Sequence, residues 1–376
     1  MLRYRGPGGH NPLRSRRQQI NLSPPFIYFP VTRLTEADDD LELPPASSGE
    51  LVIDPHLNEA RIQELIDQIK ESADKLARDR TAIGDLKILS RTLRELRYAF
   101  KVFSQYRSRR KVSIFGSART PETAPAYQTA LQLARAMAEQ SWLVVTGAAS
   151  GIMEAGHAGA GRENSMGLNI MLPFEQGSNK IIAGDAKLVT MKYFFTRKLM
   201  FVKECDAVVL LPGGFGTLDE GLEVLTLLQT GKRDMVPVVF LDAPGGTFWE
   251  PFRHFVHDKL LGERMISPED LSLFKMTTSI EETVAELLNF YHVYHSMRYV
   301  KNTLLIRLTK TLSEETLAII NREFRGILAS GEFTQCSAWP EEADEPNLIL
   351  LPRLACQFNR RSLGRLRELI NFLNST

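Results

Sequence analysis

Residues 210–232 read LLPGGFGTLDEGLEVLTLLQTGK, a stretch that gathers Gly213, Gly214, Gly216 and Thr217 just ahead of Asp219, Glu220 and Glu223. Glycines without a Cβ let backbone N–H groups turn toward an anion, and a helix starting at such a turn adds the positive end of its dipole. Thr217 is placed to cap that helix and donate its hydroxyl to the same anion. Glu220 and Glu223, three residues apart, share one helical face, whereas Asp219 points elsewhere. Glu220 falls one turn beyond the anion seat, too far to touch a phosphate at the helix tip and well placed for the next part of a ligand, such as a sugar. A carboxylate beside an anomeric carbon stabilises an oxocarbenium-like transition state or orients the attacking water. Each feature also has a plain structural reading: a glycine turn is as often a tight strand-to-helix connection, and a glutamate pair is the ordinary solvent face of a helix.

Upstream, KYFFTRKLMF (192–201) places Arg197 and Lys198 on an otherwise apolar helix leading into the strand that carries the glycine turn. Basic pairs on amphipathic helices usually lie at the surface; a rigid, permanently charged guanidinium also suits a ligand oxyanion or a carboxylate such as Glu220. Lys198 reads as a partner for phosphate or carboxylate. Neither common nucleotide fingerprint is present: the first strand ends in GSARTP rather than G-x-G-x-x-G, and the G-K-[ST] of a P-loop is absent after the glycines. Nicotinamide hydride transfer and P-loop phosphoryl transfer lose ground, and a seat sized for a monophosphate remains.

These side chains need a scaffold, and the chain around them alternates strand and helix. KVSIFGSA (111–118), WLVVTG (142–147), MGLNIMLP (166–173), AVVLLPGG (207–214) and PVVFLD (237–242) read as buried strands, with helices expected over 126–140, from about 151, around 195–204 and from 217. The alternation predicts an α/β fold, a Rossmann-like doubly wound parallel sheet flanked by helices. In such a sheet ligands bind beyond the carboxyl ends of the strands, where the turns FGSA, TGAASG and PGGFGT converge.

Residues 1–50, rich in Pro, Gly and Arg and then in acid, read as an irregular arm; Arg14, Arg16 and Arg17 form a solvated tail or touch an anion or a partner subunit. Residues 51–108 read as a helical appendage with Ile62, Leu65, Ile66 and Ile69 at helical spacing, and 109–298 as the α/β domain, ending in a helix at 279–297. Residues 299–376 read as a small α+β unit: a strand at 302–310, a helix at 313–330 capped by Ser313, a strand-like run at 346–358 and a helix at 361–374.

With 376 residues, 43% of them hydrophobic, the chain can bury a sizeable core, and 46 Lys+Arg against 45 Asp+Glu give no global pull toward a nucleic-acid polymer or a membrane. Cys205, Cys336 and Cys356 have neither metal-ligand spacing nor an even disulfide framework, which fits a reducing cytoplasm. No apolar run is long enough to span a bilayer, and the basic N-terminus lacks the apolar stretch of a secretory signal, so a soluble, cytoplasmic protein is expected.

The run PGGFGTLDE, with RK upstream and Q-T-G-K downstream, resembles the Lonely Guy family, long labelled lysine-decarboxylase-like; its hallmark P-G-G-x-G-T-x-x-E is satisfied from Pro212 through Glu220. SIFGSA and TGAASGIMEAG are similar to that family's nucleotide-binding core, and the resemblance covers roughly residues 100–295. Members are phosphoribohydrolases that split the N-glycosidic bond of a nucleoside 5′-monophosphate into free base and ribose 5-phosphate. The resemblance implies Arg197 and Glu220 as the catalytic pair and Gly213, Gly214, Gly216 and Thr217 around the 5′-phosphate. It implies Gly116, Ser117, Gly147 and Glu154 along the nucleotide pocket, with Lys198 and Glu223 as further substrate contacts. It also implies no metal or other cofactor, and a homodimer or higher homo-oligomer with the site near the subunit interface.

The helical region at 56–106 and the C-terminal unit resemble the larger bacterial type, whose substrates are ordinary purine or pyrimidine monophosphates. Two departures bear on the base. Short plant-type members carry M-H-x-R-K where this chain reads F-F-T-R-K (Phe194–Lys198), and TGAASG stands in place of consecutive glycines; cytokinin nucleotides are therefore not assumed. A pyridoxal-dependent decarboxylase needs a Schiff-base lysine with a carboxylate for the pyridine nitrogen, and no stretch combines the two. The alternatives are a nucleotide-binding sensor or regulatory module that turns nothing over, and a phosphate-transferring enzyme on the same fold.

Overall fold

The computed structural model describes residues 59–171 and 177–376. The arm expected at 1–50 and the first residues of the helical appendage, 51–58, lie outside them. The described chain opens with α1 (Glu59–Arg78) and α2 (Ile83–Ser104). There follow β1 (Lys111–Phe115), α3 (Pro125–Glu139), β2 (Leu143–Thr146), α4 (Ile152–Ala160), β3 (Ser165–Ile170) and β4 (Leu188–Met191). Next come α5 (Phe194–Glu204), β5 (Ala207–Leu210), α6 (Phe215–Gln229), β6 (Val238–Leu241), α7 (Glu250–Phe255), β7 (Lys275–Thr277) and α8 (Ile280–Asn289).

These strands form one parallel sheet in the order β4-β3-β2-β1-β5-β6-β7. Strands β1, β2, β5 and β6 are buried at every position, as a parallel sheet covered on both faces requires. Val112, Ile114, Val144, Val209 and Leu241 pack on one side with apolar residues of α3, α4 and α8. Phe115, Val145, Val208, Leu210 and Phe240 pack on the other with residues of α2, α5 and α6. Each fully buried aliphatic side chain contributes about 1.5–3 kcal/mol relative to exposure. The chain winds outward from β1 to β4, returns to lay β5 against β1, and then winds to the opposite edge. That reversal makes this a Rossmann-like α/β fold and opens a crevice beyond the carboxyl ends of β1 and β5. The turns GSA and PGGFGT leave the sheet at those two ends.

The remaining elements are β8 (Tyr294–Val300), β9 (Thr303–Leu308), α9 (Glu314–Glu323), β10 (Leu328–Cys336), β11 (Arg353–Phe358) and α10 (Leu363–Ser375). Their antiparallel sheet runs β10-β11-β9-β8. Leu304, Ile306 and Leu354 from its strands and Leu366, Leu369 and Ile370 from α10 belong to the same apolar cluster as Leu210 and Val224. Ser313 caps α9 as expected, accepting from the N–H of Thr316.

Several elements differ from the sequence pattern for tertiary reasons. The helix expected to run to 297 stops at Asn289, because Asn374 of α10 accepts from the N–H groups of Val293 and Tyr294 and donates to the Phe290 carbonyl. The helix expected over 313–330 ends at Glu323; there the Asn321 amide donates to the Phe333 carbonyl and accepts from the Phe333 N–H, hooking β10 onto the helix. The run at 346–358 is strand only from Arg353, and β4 and β7 are short edge strands that the pattern did not show. Among the described residues, no helix is long and apolar enough to cross a membrane.

Candidate active site

The three glycine turns are stitched to one another. The Ser117 N–H donates to the Pro212 carbonyl at 3.1 Å, and the Ser117 carbonyl accepts from the Ile152 N–H at 3.0 Å. Glycine is required where the backbones touch. A Cβ on Gly213 would stand 2.1 Å from Thr217 Oγ1 and 3.0 Å from the Ser117 nitrogen. A Cβ on Gly151, at φ +64°, would stand 2.3 Å from the Ser117 carbonyl oxygen. Gly116 lies under Ile152 of α4, and Gly147 lies where an added Cβ would be 3.7 Å from Arg197 Nη1. The first, second and third turns and the Arg197 head are thus adjacent, as the sequence reading expects for Gly116, Ser117, Gly147 and Gly213.

Helix α6 starts at Phe215 with Gly214 as N-cap in extended backbone (φ −87°, ψ −157°), and no side chain caps it. Thr217 does not take the capping role expected of it. It sits buried within the first turn, its N–H donating to the Gly214 carbonyl and its hydroxyl packed toward Gly213. Gly214 and Gly216 are exposed, and nothing lies within 4 Å of a Cβ added at either. The positive end of α6 is therefore open to solvent, and its first turn holds no acidic residue. An anion can settle there without meeting a carboxylate.

One turn further in, the charged residues of α5 and α6 meet. Glu220 is only 5% exposed; its Oε1 lies 3.9 Å from Arg197 Nη2 and its Oε2 lies 3.5 Å from Lys198 Nζ. The guanidinium of Arg197 also lies over the Phe194 ring, 5.1 Å from its centroid. Lys198 Nζ reaches Asp219 Oδ2 at 2.8 Å and Glu223 Oε2 at 2.9 Å. Asp219 does not point elsewhere: it stands four residues before Glu223, on the same helical face, and the two carboxylates together meet the Lys198 ammonium arriving from α5. Burial pushes the Glu220 carboxyl above the usual carboxylate range; Lys198 and then Arg197 pull it back, and Glu223 and Asp219 oppose them. Burial works to lower the Lys198 pKa, but hydrogen bonds to Asp219 and Glu223 and the charge of Glu220 outweigh it and raise it. Glu154, in the first turn of α4, pairs with Lys180 at 3.4 Å and stands outside the Lys198 cluster.

Two supporting groups have no sequence motif. Glu95 of α2 is 2% exposed and sits at the start of α5: it accepts from the Lys192 N–H and the Thr196 hydroxyl, both at 2.8 Å, and pairs with Arg91. A carboxylate there favours the helix dipole and anchors the helix bearing Arg197 and Lys198. Beneath the second turn, buried His157 contacts Thr146 Oγ1 and the Met166 carbonyl through Nε2, each at 3.0 Å. Thr146 Oγ1 accepts from the Ala148 N–H, and Asn179 donates to the Ala149 carbonyl. This network holds Ala148 at φ +60°, a left-handed backbone that glycine adopts more readily.

The crevice at the strand reversal, an open helix N-terminus and a buried carboxyl one turn beyond it mark a Rossmann-like α/β protein with one candidate site at the carboxyl ends of β1 and β5. A family model described as "possible lysine decarboxylase" matches residues 146–287. A cytokinin riboside 5′-monophosphate phosphoribohydrolase of Arabidopsis thaliana is 31% identical over 169 residues, 43% of this chain and 74% of that protein. A second of that description from Arabidopsis thaliana is 36% identical over 104 residues, 28% of this chain; the chain spans only 46% of that relative's length. The chain belongs to the Lonely Guy family. The molybdenum cofactor carrier protein of Chlamydomonas reinhardtii overlays at a TM-score of 0.34 with 18% identity, covering 47% of this chain and 94% of that one; the strand order above, not that overlay, defines the fold.

Proposed function

We propose that the protein hydrolyses the N-glycosidic bond of a nucleoside 5′-monophosphate, giving free base and ribose 5-phosphate. The observation that carries this reading is the buried Glu220, one helical turn beyond the open N-terminus of α6 and flanked by Arg197. The 5′-phosphate settles at Gly213–Thr217, which sets the ribose against Glu220. As the bond from C1′ to the base breaks, the ionised carboxylate stabilises the positive charge developing on the ribose. It also positions the water whose oxygen bonds to C1′; the base leaves with the electron pair and takes up a proton. Arg197 steers the carboxylate. Gly116, Ser117 and Gly147 line the pocket, and Glu154 belongs to its edge. The names of the Arabidopsis relatives support the reaction class; the likeness of the helical region and the C-terminal unit to the larger bacterial type favours an ordinary purine or pyrimidine base.

In this reading the protein works in the cytoplasm as a homodimer. The exposed Phe194, Phe195 and Leu199 of α5 and Phe215 and Leu222 of α6 offer an apolar rim around the site for a partner subunit.

The test is a panel of nucleoside 5′-monophosphates incubated with wild type and Glu220→Gln, with free base followed by chromatography. Wild type should release base from at least one nucleotide. The variant should lose ~10²–10⁴-fold in turnover, the usual worth of a positioned acid–base group, while binding the nucleotide as before. Its fold should persist, because the burial that raises the carboxyl's pKa is a cost the neutral amide does not bear. Wild type that binds nucleotide and releases no base, even at high concentration, would instead identify a sensor.

A further inference from the structure

Lys198 is enclosed by acid. Its ammonium makes contacts of 2.8 Å to Asp219 and 2.9 Å to Glu223, the lengths of charge-assisted hydrogen bonds, and lies 3.5 Å from Glu220. Of its three protons, two are committed to the outer carboxylates. A substrate phosphate seeking this lysine would have to displace both and lie against their negative charge. The sequence reading of Lys198 and Glu223 as substrate contacts therefore fits the geometry poorly.

The surroundings of Glu220 suggest another task. The charged groups facing it are Arg197 and Lys198 from α5, and Asp219 and Glu223 from its own helix. Lys198 is nearer to it than Arg197, at 3.5 Å against 3.9 Å. Without the lysine, a buried carboxyl would face two like charges with one cation left at the longer distance. Such a group takes up a proton, and a neutral carboxyl neither stabilises a ribosyl cation nor accepts a hydrogen bond from water as strongly.

We propose that Lys198 is a positioning residue, tethered by Asp219 and Glu223 so that its ammonium stays beside Glu220 and keeps that carboxylate charged during the reaction, and that none of these three residues binds the substrate phosphate. This rests on the reading of Glu220 as the reacting carboxylate. An opposite charge within ~4–6 Å moves a carboxyl pKa by about 1–3 units, and a like charge moves it the other way. Lys198→Met should raise the titration midpoint of Glu220 by that order. Asp219→Asn, at an exposed position that the fold tolerates, should lower it. A purely structural role for the cluster predicts no such opposition in sign.

The experiment is ¹³C NMR titration of protein labelled at the glutamate carboxyl carbons, with the Glu220 resonance identified by its loss in Glu220→Gln. It needs no turnover and is run beside pH profiles of kcat/KM. Opposite displacements of the midpoint, with the acid limb of the profile following them and KM nearly constant, support the proposal. A midpoint unmoved in Lys198→Met overturns it, as does a KM raised tenfold or more with an unchanged pH profile, which would make Lys198 a phosphate ligand. Should Lys198→Met fail to fold, Lys198→Arg and Asp219→Asn decide: Arg must restore the wild-type midpoint and Asn must still lower it. Wild type that releases no base while the midpoints move as expected would refute the proposed reaction and leave the charge tether standing.

Discussion

Replacing Gly213 by alanine tests whether the third turn is a tight lock or a loose connection. The new Cβ would lie 2.1 Å from Thr217 Oγ1 and 2.7 Å from Thr217 Cβ, so rotating the threonine cannot relieve the clash, and the Ser117 nitrogen closes the other side at 3.0 Å. The turn must open. Overpacking of this kind costs about 1–3 kcal/mol. Gly216→Ala is the matched control: its Cβ meets nothing within 4 Å, and it lies inside α6, where alanine gains about 0.4–1 kcal/mol over glycine. In domains of 150–250 residues each kcal/mol moves the unfolding temperature by about 2–4 °C, so the two variants should part by several degrees in opposite directions from wild type. Their affinities for ribose 5-phosphate should part differently. If the proposed phosphate seat is right, Gly213→Ala should weaken binding by deforming it, and Gly216→Ala by placing a methyl group on its open face. Scanning calorimetry and isothermal titration give both quantities. Equal unfolding temperatures, or a Gly216→Ala protein that binds the phosphate as tightly as wild type, would refute the account of this turn.

Two further outcomes are expected. Burial holds the His157 pKa down to about 4 from 6.5, so the unfolded chain binds a proton that the folded chain refuses. The associated stability is full above pH 6.5 and falls by about 3 kcal/mol by pH 4; His157→Gln should flatten the acid side of an unfolding-temperature profile over that window. If the apolar rim of α5 and α6 is covered by a second copy, light scattering of the full chain should give twice the mass of one chain, 42.4 kDa, and Phe195→Asp with Leu199→Glu should return it to one. A wild-type monomer at micromolar concentration would rule that out.

The central strands were legible because runs such as VSIF and AVVLL are continuously apolar, the mark of a strand buried on both faces. The elements that escaped were short edges or strands whose residues face water on one side. β8 and β10 look helical or nondescript locally; Asn374, 81 residues beyond Val293, meets the backbone that follows α8, and Asn321 in the last turn of α9 hooks Phe333 of β10 onto its own helix. The glycine turns, Arg197 and Glu220 were legible because their spacing is a motif, and the structure brings Arg197 and Glu220 to one place. Glu95 was not. At i+4 from Arg91 it reads as an ordinary surface ion pair, and its other partners, Lys192 and Thr196, are 97 and 101 residues away. Asp219 was legible too, since at i, i+4 it shares a helical face with Glu223; pairing Glu223 with Glu220 alone hid this, and only the arrival of Lys198 from α5 lay beyond the local pattern.

The bond between Glu95 and the start of α5 changes what counts as the minimal protein. A fragment begun at residue 109 would keep every motif residue and the whole parallel sheet. It would also strip Ala99, Val102 and Phe103 from the core and leave the Lys192 N–H and Thr196 hydroxyl without the carboxylate that answers them. The helix that aims Arg197 and Lys198 would then be held at one end only. In this chain α2 is part of the instrument, although it carries none of the motif residues.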